Sequence, residues 1–200
     1  VAPGLVHVRS YEGLQIASPA STWAMLGREL TVRELVILGD ALVAVPRGRG
    51  GVREPRRQLT TITQLRAAVE AGRRRGVPKL RDALELVRVG SASPLETEHR
   101  LNSDAAGIPT PELDVEIRDG RGRLLGISEI VHRAQRVAVE IEGDHHRTSK
   151  SQWDRDLEKY AAYTAEGWEV VRLTSRHIRG TSGRDVALVR DALARRGWHV

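Results

Sequence analysis

Two carboxylates and a run of polar residues lie close together between Arg136 and His146. Glu140 and Glu142 are separated by one residue, and Gly-Asp-His-His follows directly. In a β-strand, alternate side chains point to opposite faces, so the two glutamates share a face. Neighbouring carboxylates repel each other and gain little from a fold that needs only an apolar strand. Oxygen and nitrogen donors gathered at one strand end are the ligands of a divalent cation, so the segment predicts a metal-dependent catalytic site.

A simpler interpretation of the same segment stays open. Alternating glutamates also occur on the solvated face of an edge strand, and histidines also occur in turns. Because the adjacent side chains of His145 and His146 point in different directions, we expect only one of them to take part in chemistry.

The composition of the 200-residue chain is that of a globular protein, with 40% hydrophobic and 29% charged residues. The sequence contains no cysteine, which excludes disulfides and thiolate zinc sites and favours the cytoplasm. No signal peptide is visible, and Asp40 interrupts the longest apolar run, residues 35–45, so no membrane span is expected. The chain begins with Val1, which predicts an unusual start codon or a missing upstream segment.

The net charge of +6 is unevenly distributed along the chain. Residues 1–90 contain 15 basic and 8 acidic residues, whereas the remainder contains 17 basic and 18 acidic residues. A basic first half followed by a more acidic second half suits a polyanionic substrate that one part holds and the other cuts. However, only three of the 32 basic residues are lysines, and a GC-rich genome produces the same arginine bias. The charge alone therefore does not establish nucleic-acid binding.

Turn and capping signals predict that the first half is mainly helical. The predicted elements are a strand at 14–17 and helices that begin at Ser18, Thr31, Thr61 and Pro78. An arginine-, glycine- and proline-rich loop lies at 46–57. The change of charge coincides with small residues and a proline at 90–94, so we predict a basic domain at 1–90 and a second domain at 91–200.

The second half predicts an α/β domain in the order αβββαβα. Its expected elements are a helix at 93–106, strands at 113–117, 124–131 and 136–142, a helix at 151–165, a strand at 168–173 and a helix at 186–196. The apolar strand at 168–173 is expected to be covered on both sides. The helix at 151–165 is expected to place Trp153, Leu157, Tyr160 and Thr164 on one face. The cations Lys150, Arg155 and Lys159 are expected on a solvated face, with contact to phosphate as the alternative.

Residues 91–180 resemble the very-short-patch-repair-like endonucleases, a domain-of-unknown-function family in the PD-(D/E)XK superfamily. The resemblance is carried by four pieces, which are residues 93–96, 137–146, 153–156 and 167–172. The first half, with Ser-Pro-Ala-Ser-Thr-Trp at 18–23, is similar to the helical region found upstream in actinobacterial members. A winged-helix segment of the abortive-infection antitoxin type usually precedes that region, and its absence here favours a truncated or alternatively started chain.

The resemblance implies a restriction-endonuclease-like fold, in which a four-stranded mixed sheet is flanked by helices and acidic residues bind Mg²⁺ at a strand fork. The matching positions are Glu96 in the first helix, Glu129 after the hairpin, Glu140 and Glu142 in the third strand, and His146 beyond it. By this resemblance, Glu129, Glu140 and Glu142 hold the metal. His146 would act as general base or acid, since histidine titrates near neutral pH.

The chain departs from the family pattern at two positions. Glu129 stands where the family usually has aspartate, which leaves the site shifted, tolerant of Mn²⁺ or inactive, because Mg²⁺ demands near-ideal coordination. The superfamily lysine is absent, and Glu142 stands at its position. Two of the candidate residues also have structural interpretations: a salt bridge of Glu129 with Arg133 or Arg136, and a capping box for Glu96.

Together these features predict a Mg²⁺-dependent DNA endonuclease or nickase that hydrolyses phosphodiester bonds in the cytoplasm. DNA is the expected partner, and neither a membrane nor a small-molecule cofactor is expected. The alternative is a catalytically degenerate nuclease fold that binds DNA or acts as an antitoxin-like regulator. An RNA-directed or toxin-like nuclease, the target sequence and the oligomeric state are left open by the sequence.

Overall fold

The computed structural model of the chain describes residues 4–142 and 150–199. The chain divides into two compact units between Thr97 and Glu98, within a helix, whereas the predicted boundary lies at 90–94. Over the described ranges, no helix has both the length and the apolar character needed to cross a membrane.

The first unit consists of a β-hairpin followed mainly by helices. Its elements are β1 (Val8–Tyr11), β2 (Leu14–Ala17), α1 (Pro19–Met25), α2 (Val32–Val43), α3 (Ile62–Glu70) and α4 (Val77–Leu86). The predicted helices are confirmed, but β1 is missing from the prediction. Its sequence, Val-Arg-Ser-Tyr, does not alternate between buried and exposed positions, because all four residues are exposed. The strand therefore could not be recognised from an apolar pattern.

The two predicted capping boxes are present at the starts of α2 and α3. The Thr31 hydroxyl accepts the Glu34 N–H at 3.3 Å, and the Glu34 carboxylate accepts the Thr31 N–H at 2.8 Å. Thr61 and Gln64 exchange the equivalent bonds at 3.2 and 3.1 Å. Each box satisfies donors that a helix N-terminus leaves unpaired and contributes about 1 kcal/mol. Such local signals are readable without knowledge of the tertiary structure.

The second unit is built on the predicted four-stranded mixed sheet flanked by helices, which the structure confirms. Its elements are α5 (Pro94–Ala105), whose first turn lies before the boundary, β3 (Glu112–Arg118), β4 (Leu124–His132), β5 (Val137–Glu142), α6 (Lys150–Ala165), β6 (Glu169–Thr174), α7 (Ser175–Ile178) and α8 (Arg184–Arg195). The strand order is β3-β4-β5-β6; the first three strands are antiparallel, and β6 is parallel to β5. The helix α6 supplies the crossover that a parallel pair requires. Consequently β5 lies inside the sheet, and β6 forms its edge.

The face of α6 that packs on the sheet differs from the predicted one. Tyr163 is fully buried in a cluster with Trp168 and sheet residues, whereas Leu157 is 48% exposed. Gly126 on β4 permits this packing, because a Cβ there would lie 2.7 Å from the Lys159 side chain and 2.8 Å from the Tyr163 hydroxyl. The helix therefore turns Lys159 and Tyr163 toward the sheet.

A buried polar cluster lies on the sheet face opposite α6. The His99 Nδ1 and an Asp185 carboxylate oxygen are 2.9 Å apart, and both side chains are 1% exposed. The Asn102 amide donates to the same oxygen at 2.9 Å. His132 is also buried and belongs to this face, because Val131 before it packs toward α6.

This cluster predicts that acid destabilises the protein through His132. Burial, with a smaller contribution from the charge on His99, lowers the pKa of His132 from 6.5 to about 4. Between these values the unfolded chain binds the proton and the folded chain does not, so stability is lost as the pH falls through this window. The loss from His132 should be about 3 kcal/mol. Urea unfolding between pH 7 and 4 should show a shallower pH dependence for His132→Leu; an unchanged dependence would contradict the assignment.

Candidate active site

Glu140 is a buried carboxylate on the interior strand β5. Its side chain is 7% exposed, and its two oxygens accept hydrogen bonds from the Ser128 hydroxyl at 2.6 Å and the Lys159 ammonium at 2.7 Å. The interpretation of this position as the solvated face of an edge strand is therefore excluded. A carboxylate is costly to remove from water unless it is paired and hydrogen-bonded, and Glu140 meets both conditions.

Lys159 on α6 is the cation that pairs with Glu140. Its side chain is 18% exposed, and its ammonium also donates to the Ile127 carbonyl at 3.1 Å. The nitrogen lies 5.2 Å from the centre of the Tyr160 ring and 5.7 Å from that of Tyr163, within the range of cation–π attraction. The expectation that Lys159 lies on a solvated helix face is thus wrong.

Glu142 and Arg172 form the more accessible part of this group. Their side chains are 31% and 39% exposed and are paired with each other. The Arg172 guanidinium lies 5.3 Å from the centre of the Tyr160 ring, so that Tyr160 contacts two cations. Burial and, next, the Glu140 charge raise the pKa of Tyr160 above its usual value, which keeps its phenol protonated. Two carboxylates, two cations and a neutral phenol therefore lie at one end of β5.

Strand alternation breaks down at Glu129 on β4. The Ser128 and Tyr163 hydroxyl oxygens are 3.2 Å apart, and Val131 packs in the same cluster as Tyr163. Ser128 and Val131 thus both face α6, although strict alternation would place them on opposite faces. The direction of the Glu129 side chain consequently does not follow from the sequence pattern.

The strand opposite Glu129 has an unusual backbone at Asp114. This residue has a φ of 53°, in the left-handed region that non-glycine residues rarely adopt, and such residues often occur at functional sites. The pairs on either side of it, 113 with 130 and 115 with 128, place it across from Glu129. The Glu129 carboxylate accepts the backbone N–H of Ile141 at 2.6 Å and thereby links β4 to β5 beyond their last backbone pair.

Glu96 contributes to the start of α5. Its carboxylate accepts the Ala92 N–H at 2.8 Å, and its own N–H donates to the Ser93 hydroxyl at 3.3 Å. The bond from the Glu96 N–H to Ser93 is one of the two bonds of the predicted capping box, and the carboxylate bond holds Ala92, the residue before the cap. The assignment of Glu96 to the catalytic set stays a prediction.

Magnesium binding by Glu129, Glu140 and Glu142 stays a prediction. Nowhere in residues 4–142 and 150–199 do three His, Cys, Asp or Glu side chains gather in a way that could hold a metal ion. Glu140 and Glu142 are engaged by cations, and Glu129 by a backbone amide. His146 and the neighbouring His145 lie outside the described residues.

Several residues of this group were not assigned a functional role from the sequence. They are Asp114, Ser128, Tyr160 and Arg172. Lys159 is one of only three lysines among 32 basic residues, which is a weak signal that this position requires an ammonium group. The roles of the others depend on which faces of the sheet and of α6 meet.

Comparisons with known proteins give relatives but no function. Over 129 residues the chain is 27% identical to two uncharacterized proteins of Mycobacterium tuberculosis, MT2308 of strain CDC 1551 and Rv2248 of strain H37Rv. The match covers 64% of this chain and 47% of each relative, so the chain spans about half the length of the curated relatives it matches. No family model and no solved structure matches the chain. Membership in the patch-repair-like family therefore stays a prediction.

Proposed function

We propose that this protein is an endonuclease or nickase that hydrolyses phosphodiester bonds in DNA. The observation that carries the proposal is the buried Glu140, which is held by Ser128 and Lys159 at the end of β5 where Glu142 and Arg172 reach solvent. Acids and cations gathered at one strand end suit a substrate with a charged phosphate. The proposed location is the cytoplasm.

Each group has a role in this reaction. Hydrolysis needs neutralisation of the phosphate charge, removal of a proton from the attacking water, and a proton for the leaving oxygen. Arg172 supplies a planar donor that can bind two phosphate oxygens, and Lys159 supplies a second positive charge. Glu142 is the more exposed carboxylate and can accept the proton of the attacking water and then pass it to the leaving oxygen. Glu140 holds the Lys159 ammonium in position.

A second candidate function is DNA binding without cleavage. It is favoured by the engagement of Glu129 with the Ile141 amide and by the absence, among the described residues, of a group of three acidic or histidine side chains that could hold a metal. A protein that keeps the sheet and the cationic side chains, but has lost the arrangement of side chains that binds a metal, would still attract a polyanion. In this case the protein would regulate or mark DNA.

The two functions are separated by a cleavage assay on the full chain. Supercoiled plasmid and a mismatch-bearing duplex are incubated with the parent protein in Mg²⁺, Mn²⁺ or EDTA, beside Glu129→Asp. Cutting by the parent supports the enzyme, and the EDTA reaction decides whether a metal is required. Cutting by Glu129→Asp alone identifies a degenerate site, because aspartate restores the usual ligand length. DNA binding without cutting by either protein supports the second function.

A further inference from the structure

The loop from Arg47 to Arg57 in the first unit, here called the arginine loop, concentrates positive charge. Five of its eleven residues are arginines, namely Arg47, Arg49, Arg53, Arg56 and Arg57. Its single acid, Glu54, pairs with Arg57 at 2.8 Å, so the loop keeps a net charge of +4. The arginines at 49, 53 and 56 are exposed.

The arginine loop has a fixed backbone. The Gly48 N–H donates to the Val52 carbonyl at 2.8 Å, and the Glu54 N–H donates to the Pro46 carbonyl at 2.8 Å. Beyond the loop, the Gln58 amide donates to the Val43 carbonyl at 2.7 Å and fastens the loop to the end of α2. A charged loop that is already ordered loses less conformational entropy when it binds a ligand than a flexible one does.

The tip of the arginine loop combines an open backbone with an apolar side chain. Gly50 has a φ of 77°, and a Cβ at this position would meet nothing within 4 Å. Val52, two positions later, is 67% exposed. Arginines that contact phosphates beside an apolar side chain at a groove are a recurring arrangement in proteins that bind duplex DNA.

We propose that the arginine loop binds the phosphate backbone of duplex DNA and places Val52 against a groove. The proposal rests on the proposed function for its choice of DNA as ligand. It is a separate claim, because the first unit can hold DNA whether or not the second unit cuts it. Each arginine that contacts one phosphate releases condensed counterions, so binding should weaken with salt by about 0.9 log units per contact per log unit of salt.

The test is fluorescence anisotropy of a short labelled duplex with the full chain in EDTA, across a range of salt concentrations. The loop variant Arg49→Gln/Arg53→Gln/Arg56→Gln should bind at least about 10-fold more weakly at low salt and lower the salt slope by about 2 to 3. A matched control carries three exposed arginines of the same unit changed to glutamine, at positions 9, 66 and 81. It should change the slope by less than about 1. A version of the loop variant with lysines instead of glutamines should keep most of the slope.

Several outcomes would overturn the proposal. These are equal losses in the loop variant and the control, no loss in the loop variant, and loss of the slope when lysines replace the arginines. A loop-dependent preference for duplex RNA of the same sequence would overturn the choice of DNA. The same experiments test the proposed cleavage function independently of the arginine loop. Loop-dependent binding without cleavage by the parent leaves this inference standing, whereas cleavage with loop-independent binding leaves only the nuclease.

Discussion

Glu140→Gln is expected to reduce DNA cleavage by at least about 100-fold and to leave DNA binding within about 3-fold of the parent. Glutamine preserves the size of the side chain and can still accept from Ser128, but it removes the negative charge that holds Lys159. The loss of cleavage therefore measures the effect of the Glu140 charge and not of the side-chain shape. The measurement is the initial rate of plasmid nicking, beside anisotropy with a labelled duplex.

The matched control is Glu158→Gln, which removes an exposed carboxylate from α6, next in sequence to Lys159. It should cleave at the parent rate, because a solvated charge contributes little to a neighbouring buried site. Both variants are compared at a temperature where circular dichroism shows them to be folded. Equal rates for Glu140→Gln and the parent would remove Glu140 from the catalytic set.

Lys159→Met is expected to lower the free energy of unfolding by about 3 to 5 kcal/mol, because it leaves the Glu140 carboxylate buried without its cation. Methionine retains most of the aliphatic chain that packs near Gly126, so the loss reports the missing charge. The double variant Glu140→Gln/Lys159→Met should recover to within about 1 to 2 kcal/mol of the parent, since neither residue then carries a buried charge. Urea unfolding of the four proteins gives the coupling energy directly. Additive losses would show that the 2.7 Å contact is energetically unimportant.

The features that the sequence predicts well are local. The capping boxes at Thr31 and Thr61 depend on residues three positions apart, and both are present. The order of strands and helices in the second unit follows from their apolar patterns, whereas the four-stranded mixed sheet is implied by the family resemblance. The clustering of Glu140 and Glu142 also follows from the alternation along one strand.

The features that the sequence does not predict depend on how the helices and strands pack against each other. Which face of α6 is buried follows from the close approach at Gly126 and the burial of Tyr163, and that choice brings Lys159 to Glu140. The direction of the Glu129 side chain depends on a break in the strand alternation, and no residue of β4 predicts that break. The left-handed backbone conformation of Asp114 could not be predicted either, since aspartate occurs in ordinary strands and turns alike.

The central claim is that the Glu140–Lys159 charge pair at the end of β5 serves DNA cleavage, so that replacing both residues removes cleavage while costing little stability. Its most direct test is plasmid cleavage by Glu140→Gln/Lys159→Met beside the parent, with both proteins confirmed as folded to the same extent. We predict that the parent nicks or linearises supercoiled DNA and that the equally folded double variant does not. Cleavage by both proteins at the same rate, or by neither, would contradict the account.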